Sequence, residues 1–346
     1  MQMHGIKFPM IDCHTHLRRQ EGMKAIEALN NEEEIFGHEN YCVLSLEGNG
    51  AGFQDQNALC LANKRTYPNT YAFGGINHAM GSIGMQAEKL WDAGCDGFKM
   101  IEGKPDAWNR LKIPLDDSSY DEFYSFCAEH GAPLLIHIAD PEIFWDITKI
   151  AKDDYDRGWY YNDTFPTKEY LTVQAISVME KFPDMKIIFA HFFYLAEHLP
   201  RMGELFERFP NMYTDITPGA PLFSNFTDTY DDSVEFFKKY NTRILYGSDT
   251  SDFHNDGGVN YMKTVLDKIR RFVDTDDDME AWDYRFKGLN LPDYAKKNIF
   301  SKNFLRIVRH RDIAPEKAAV YFRKMITEAD INLSEIEYNN ITSLWG

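Results

Sequence analysis

Two rhythms of apolar and polar positions recur along the chain. Short runs that are apolar throughout, such as Tyr41-Cys42-Val43-Leu44, Leu134-Leu135-Ile136 and Ile187-Ile188-Phe189-Ala190, read as strands buried on both faces. Between them apolar residues return at helical spacing, as Met23, Ile26 and Leu29 do, which leaves one face dry and the other wet. The pattern predicts strands at 8–16, 41–48, 71–77, 97–101, 133–139, 186–191, 212–216 and 243–248. Helices are expected over 21–29, 54–65, 84–93, 120–129, 168–181, 201–208, 233–240 and 261–272. Glycine or proline stops the helix just before the next strand at Ala93-Gly94, His130-Gly131, Phe182-Pro183 and Phe209-Pro210.

Strand and helix alternate, so the sheet should be parallel and covered on its outer face. Eight such units predict an α/β fold, a closed (β/α)8 TIM barrel, with residues 1–346 as a single domain. An acidic, solvated loop is expected at Asp274-Thr275-Asp276-Asp277-Asp278, then a helix over 294–308 and a helical C-terminal extension over about 292–346. The segment 140–166, between the fifth and sixth strands, is long and rich in aromatic residues. It reads either as a wall or lid over the barrel mouth or as a separate aromatic mini-core.

Composition narrows the partners. With 44% hydrophobic and 14% aromatic residues the chain has ample material for a large core. A formal net charge of −17 opposes attraction to phosphate backbones or anionic lipid, so neither nucleic acid nor membrane is an expected partner. No apolar run approaches the roughly 18 residues of a membrane span, and the first residues lack a leader pattern, so a cytoplasmic location is expected. The five cysteines are scattered with no C-x-x-C pair, which argues against disulfides or a zinc ribbon.

In a barrel of this kind chemistry sits at the C-terminal strand ends. The first strand ends in His14 and His16, two apart, and by strand alternation these two, with Asp12 two residues behind them, point together to one face. Lys99 closes the fourth strand, His137 the fifth, His191 the sixth and Asp249 the eighth. Any one of these histidines alone reads as a satisfied core residue; together, at one height of one barrel, they point to a divalent metal site. Glu47, Asn77 and Asp215 also stand near strand ends, and Arg18 and Arg19 offer a clamp for an anion, although two adjacent arginines do not both face one site easily. His38, His78, His130, His198, His254 and His310 read as surface or capping residues.

Ile11-Asp12-x-His14-x-His16, then His137, His191 and Gly247-Ser248-Asp249, resembles the amidohydrolase superfamily of metal-dependent barrels. Within it the chain is similar to the branch that holds both hydrolases and aminocarboxymuconate semialdehyde decarboxylase-like enzymes. The likeness runs from the first strand to the eighth, and the segment 298–306 resembles the family's closing helix. It implies that His14, His16, His137 and Asp249 hold one divalent metal, zinc being the ion expected, with two ions as the alternative. It further implies that Asp249 relays a proton, and that His191 either binds a second ion or hydrogen-bonds the reacting oxygen. Some relatives carboxylate a fourth-strand lysine to bridge two metals, but Lys99-Met100-Ile101-Glu102-Gly103-Lys104-Pro105 departs from that pattern. One ion and an unmodified Lys99, binding a substrate carboxylate or paired with Glu102, are therefore expected. The implied function is a hydrolase that activates water to cleave an amide, ester or lactone bond of a small molecule. The alternative is a decarboxylase or other lyase on the same barrel. A barrel that only binds a metabolite is argued against by the intact set, and a homo-oligomer is compatible with the sequence.

Overall fold

The computed structural model describes residues 8–18, 22–48, 54–219, 221–252, 256–281, 283–328 and 331–346. Among them β1 (Ile11–His16), β2 (Asn40–Leu44), β3 (Tyr71–Gly75), β4 (Gly97–Gly103), β5 (Leu134–Ile138), β6 (Ile187–Phe189), β7 (Met212–Asp215) and β8 (Ile244–Leu245) follow one another, each paired in parallel with its predecessor. A short β9 (Thr250–Ser251) then pairs in parallel with β1. Between β8 and β9 the Cys13 N–H donates to the Tyr246 carbonyl at 3.2 Å and the Asp249 N–H to the His14 carbonyl at 2.8 Å. These bonds close the sheet into the (β/α)8 barrel that the pattern predicts. The eighth strand, expected as one run over 243–248, is instead two short pieces flanking a kink.

Helices cover the barrel in the expected alternation: α1 (Gly22–Phe36), α2 (Gln56–Thr66), α3 (Ile83–Ala93), α4 (Pro105–Leu111), α5 (Asp121–His130), α6 (Lys152–Asp156) and α7 (Lys168–Lys181), then α8 (Leu199–Arg208), α9 (Leu222–Asp228), α10 (Tyr230–Lys239) and α11 (Asp256–Asp274). The short α4, α6 and α9 lie in strand-to-helix connections and are too brief to show a helical period in sequence. Beyond α11 the expected loop is partly strand: β10 (Asp278–Ala281) and β11 (Tyr284–Lys287) form an antiparallel hairpin. Met279 and Ala281 are buried while Asp278 and Glu280 are exposed, the period-two alternation of a half-covered strand.

The helix expected over 294–308 is α12 (Asp293–Lys297), a π turn (Asn298–Lys302) and α13 (Asn303–Ile307). Asn303 reaches from it to donate its amide to the carbonyls of Asn241, at 2.7 Å, and Ile244, at 2.6 Å, bracing β8. Phe304, Ile307 and Val308 pack against the inner side chains Ile11, Cys42, Tyr71, Phe73, Leu135 and Ile188, so the N-terminal end of the barrel is plugged with hydrocarbon. Polar inner residues are left for the other end. The C-terminal extension is α14 (Pro315–Glu328) and α15 (Glu335–Trp345), the latter started by a capping box of Ser334 and Glu337.

The segment 140–166 is an aromatic mini-core. Trp145 and Phe165 pack on Tyr161 with ring centroids 4.8 and 5.1 Å away, and Phe144 stacks on Trp159 at 5.7 Å. The Tyr161 N–H donates to the Phe144 carbonyl at 2.9 Å, folding the segment back on itself. No helix among the described residues is long and apolar enough to cross a membrane.

Candidate metal centre

β1 does not run as a regular strand. Its register against β2 steps from Asp12↔Tyr41 to Thr15↔Val43, one residue more on β1 than on its partner, which is a β-bulge. The extra residue turns His14 and His16 to the inner face while Asp12 stays on the outer one. The expectation that Asp12 points with the two histidines is therefore corrected: strict alternation fails across a bulge. Asp12 Oδ1 instead accepts the backbone N–H of His14 at 2.9 Å and of Ser248 at 3.0 Å, clipping together the two segments that carry the ligand candidates.

Each inner imidazole has one nitrogen engaged behind it. His14 Nδ1 donates to Asp215 Oδ2 at 2.9 Å, and His16 Nδ1 to the Leu44 carbonyl at 2.8 Å. Both acceptors lack a proton to give, so Nδ1 carries the hydrogen and Nε2 presents a lone pair. Burial pushes the His14 imidazole down to about 3, with the Lys99 charge adding to it, and the His16 imidazole down to about 4. Both rings are thus neutral at pH 7. Asp215 is the hub of this layer: it also accepts the His191 N–H at 2.8 Å, the Thr217 N–H at 3.1 Å and the Thr217 hydroxyl. Burial alone would raise its carboxyl, but the His14 bond and charge outweigh that and hold it down at about 2.

Asp249 enters from the kink between β8 and β9, where its φ of 54° is left-handed. That conformation costs an L-residue about 1–2 kcal/mol and persists where the surroundings fix it. Two residues earlier a Cβ on Gly247 would lie 2.8 Å from Thr217 and 3.0 Å from His14, so only glycine lets the kink approach β1 this closely. Asp249 Oδ1 lies 3.1 Å from His16 Nε2 and 3.7 Å from His14 Nε2, and Oδ2 lies 3.9 Å from His191 Nε2. A neutral Nε2 lone pair 3.1 Å from a carboxylate oxygen is two acceptors face to face. A cation between them resolves the clash, and this donor set suits a divalent metal. His14, His16 and Asp249 have donor atoms all within 4.8 Å of one another.

His191 and Lys99 stand beside this group. His191 begins a run of four left-handed residues, His191 to Tyr194, and its Nδ1 lies 3.3 Å from the Thr217 carbonyl. Lys99 Nζ is 3.4 Å from His14 Nε2, and burial lowers its ammonium to about 8. The expected pairing of Lys99 with Glu102 is absent: Glu102 Oε1 meets His78 Nε2 at 3.1 Å instead. His137 is not in the converged trio. Its Nε2 is tied to the Ala139 carbonyl at 2.9 Å and to Asp140 Oδ1 at 3.2 Å, and its ring lies 5.0 Å from that of His191.

Of the lesser candidates, Arg18 faces the mouth, its guanidinium 3.9 Å from Asp249 Oδ1, while Arg19 and His254 lie outside the described residues. Glu47 and Asn77 bond to each other at 3.3 Å in a buried polar cluster. His130 is exposed at the end of α5, and His198 and His310 are exposed, as expected. His78 is instead half-buried against Glu102 and Tyr120, and His38 departs furthest from that expectation. It is buried with Glu33, Asp12 and Tyr246, its Nδ1 2.6 Å from Glu33 Oε2 and its Nε2 2.9 Å from the Tyr246 hydroxyl. Two ligands of one tetrahedral zinc stand roughly 3.3 Å apart, so the 2.6 Å contact marks a hydrogen-bonded brace behind β1 rather than a second ion site. A groove of about 920 Å³ lies between α8 and α10, on the barrel's outer side and far from these residues. Convergence of donors, not cavity size, marks the candidate site.

The model of the family described as amidohydrolase matches residues 11–309. No curated protein matches this sequence. Solved structures with the same architecture include an uncharacterized TIM-barrel protein from Bordetella bronchiseptica, 14% identical with a TM-score of 0.59, covering 87% of this chain and 98% of its own. A dihydroxybenzoic acid decarboxylase from Polaromonas, with bound manganese and the inhibitor 2-nitroresorcinol, is 14% identical with a TM-score of 0.55 and coverages of 87% and 96%. The 5-carboxyvanillate decarboxylase of Sphingomonas paucimobilis is 12% identical, with a TM-score of 0.53 and coverages of 88% and 100%.

Proposed function

Because the chain belongs to the amidohydrolase family, we propose that its barrel mouth is a one-ion metal centre that decarboxylates a small unsaturated acid, aromatic acids foremost. His14, His16 and Asp249 would hold the ion, with His137 as the fourth ligand, and zinc or manganese suits that mixed nitrogen and oxygen set. When bound, such an ion supplies a Lewis acid that orients and neutralises a substrate oxygen. The observation that carries the reading is the pair of cations beside the trio. Lys99 has no carboxylate within 4 Å among the described residues, and Arg18 stands 3.9 Å from Asp249, beyond hydrogen-bond reach. Both are available to seat a carboxylate next to the ligand group. The two decarboxylases of the same architecture support this choice over the hydrolysis that the sequence puts first.

In decarboxylation the bond from ring carbon to carboxylate breaks, its electron pair stays on the carbon, and that carbon takes a proton as carbon dioxide leaves. That proton comes from solvent water, and His191 Nε2 and Asp249 Oδ2, 3.9 Å apart, are the groups placed to relay it. Hydrolysis is the second reading, favoured by one feature: Asp249 is 34% exposed and able to take a proton from water. The deciding experiment incubates metal-loaded protein with carboxylated aromatics and, separately, with esters, lactones and amides. Carbon dioxide release is the expected result, with Lys99→Met raising KM for the acid about 10-fold or more, as loss of a charged hydrogen bond does. Hydrolysis of the second panel without carbon dioxide from the first would overturn the proposal in favour of the second reading.

A further inference from the structure

Asp140 lies two residues beyond the end of β5 and is not among the residues that the strand-end pattern selects. Ala139 has a φ of 59°, so the chain turns left-handed as it leaves the strand, and the turn aims the Ala139 carbonyl back at His137 Nε2. Asp140 Oδ1 approaches the same nitrogen at 3.2 Å. A carbonyl and a carboxylate only accept, so Nε2 carries the proton and Nδ1 presents the ring's one free lone pair. Without these partners a histidine at a strand end chooses between two tautomers and two ring orientations, and half of those leave no lone pair for a metal.

Asp140 is itself held from two directions. Its Oδ2 accepts Lys104 Nζ at 3.1 Å, from the residue just before α4, and the Tyr161 hydroxyl at 2.5 Å. Tyr161 is 1% exposed and stands at the centre of the aromatic mini-core, between Trp145 and Phe165. One carboxylate therefore joins three things: the imidazole of β5, the connection after β4 and the packed segment beyond β5. Deleting it would leave the half-buried Lys104 ammonium without its carboxylate and the His137 Nε2–H held by the Ala139 carbonyl alone.

We propose that Asp140 is a positioning residue that fixes His137 with Nδ1 free to bind metal, and that Tyr161 ties the packing of the aromatic segment to that ligand. The proposal rests on reading the mouth as a metal centre, and it assigns the aromatic segment a part in holding the ion. It is tested by titrating metal-free protein with Mn2+ and with Zn2+ and measuring Kd, with the thermal unfolding midpoint as a control on folding. Asp140→Ala should weaken binding about 10- to 100-fold, the range for partners of a ligating histidine, and Asp140→Asn, which keeps one acceptor oxygen, should recover part of it. Tyr161→Phe removes only a hydroxyl and should weaken binding in the same direction by a smaller factor while the protein stays folded. In a His137→Ala background, Asp140→Ala should add nothing, because the residue through which it acts is gone. A Kd within twofold of wild type for Asp140→Ala, or the same loss with and without His137, would overturn the proposal alone. If His14→Ala also kept its affinity, the metal-centre reading itself would fall.

Discussion

Asp249 combines a strained backbone with a carboxylate that faces His14, His16 and His191 at 3.7, 3.1 and 3.9 Å. Asparagine keeps the size and one oxygen ligand but cannot carry a proton. Asp249→Asn should therefore retain most of its metal while turnover falls about 10²- to 10⁴-fold, the usual cost of a lost acid–base group. Measuring metal occupancy beside kcat separates the two effects, and turnover within a few-fold of wild type at full occupancy would leave Asp249 a ligand only. At this scale His14, His16 and Asp249 were legible, because residue type and strand-end position alone bring them together. Asp215 stands out in the sequence only as a minor candidate, since nothing there says that a carboxylate on β7 will back a histidine on β1. The orientation of Asp12 is not legible because a bulge leaves no local signature, and the burial of His38 is not because, although Glu33 is only five residues before it, the Tyr246 that closes over it comes from a distant segment.

At the scale of elements, Glu47 links β2 to α2: it is 4% exposed, and its Oε2 accepts the Asn57 N–H at 3.0 Å in the first turn of that helix. Burial pushes its carboxyl up from 4.5 to about 8, against the lowering effect of the Asn57 and Asn77 bonds. A folded-state value above the unfolded one means that folding takes up a proton between them. The stability this group contributes is thus full below about pH 4.5 and lost as the pH rises towards 8. Glu47→Gln removes the titration, so the Tm of wild type should drop relative to the variant between pH 5 and 8. Parallel Tm curves over that range would show that Glu47 stays ionised in the folded protein. Strands and long helices were legible because their periods span many residues. The hairpin β10–β11 was not, since an Asp run reads as solvated loop and no more than Met279, Ala281 and Phe286 mark its buried face. Strand eight broke in two where Gly247 and Asp249 turn the chain, which no hydrophobic pattern records.

Across the whole molecule the barrel is polarised: hydrocarbon from α13 plugs one end, and histidines, carboxylates and Lys99 occupy the other. That polarity follows from the order of residues within each strand, apolar first and polar last, which is why the barrel and the location of its site were readable together. The chemistry at the mouth was less so, because the same ligand set serves either proposed reaction and the cations on which the decarboxylase proposal rests, Arg18 after β1 and Lys99 on β4, lie far apart in sequence. The chemistry proposed for the mouth depends on a divalent ion there, and elemental analysis of the purified protein beside its His14→Ala/His16→Ala variant tests that most directly. The prediction is about one zinc or manganese per chain in wild type and almost none in the variant, with circular dichroism showing both folded. An undiminished metal content in the folded double variant would contradict it.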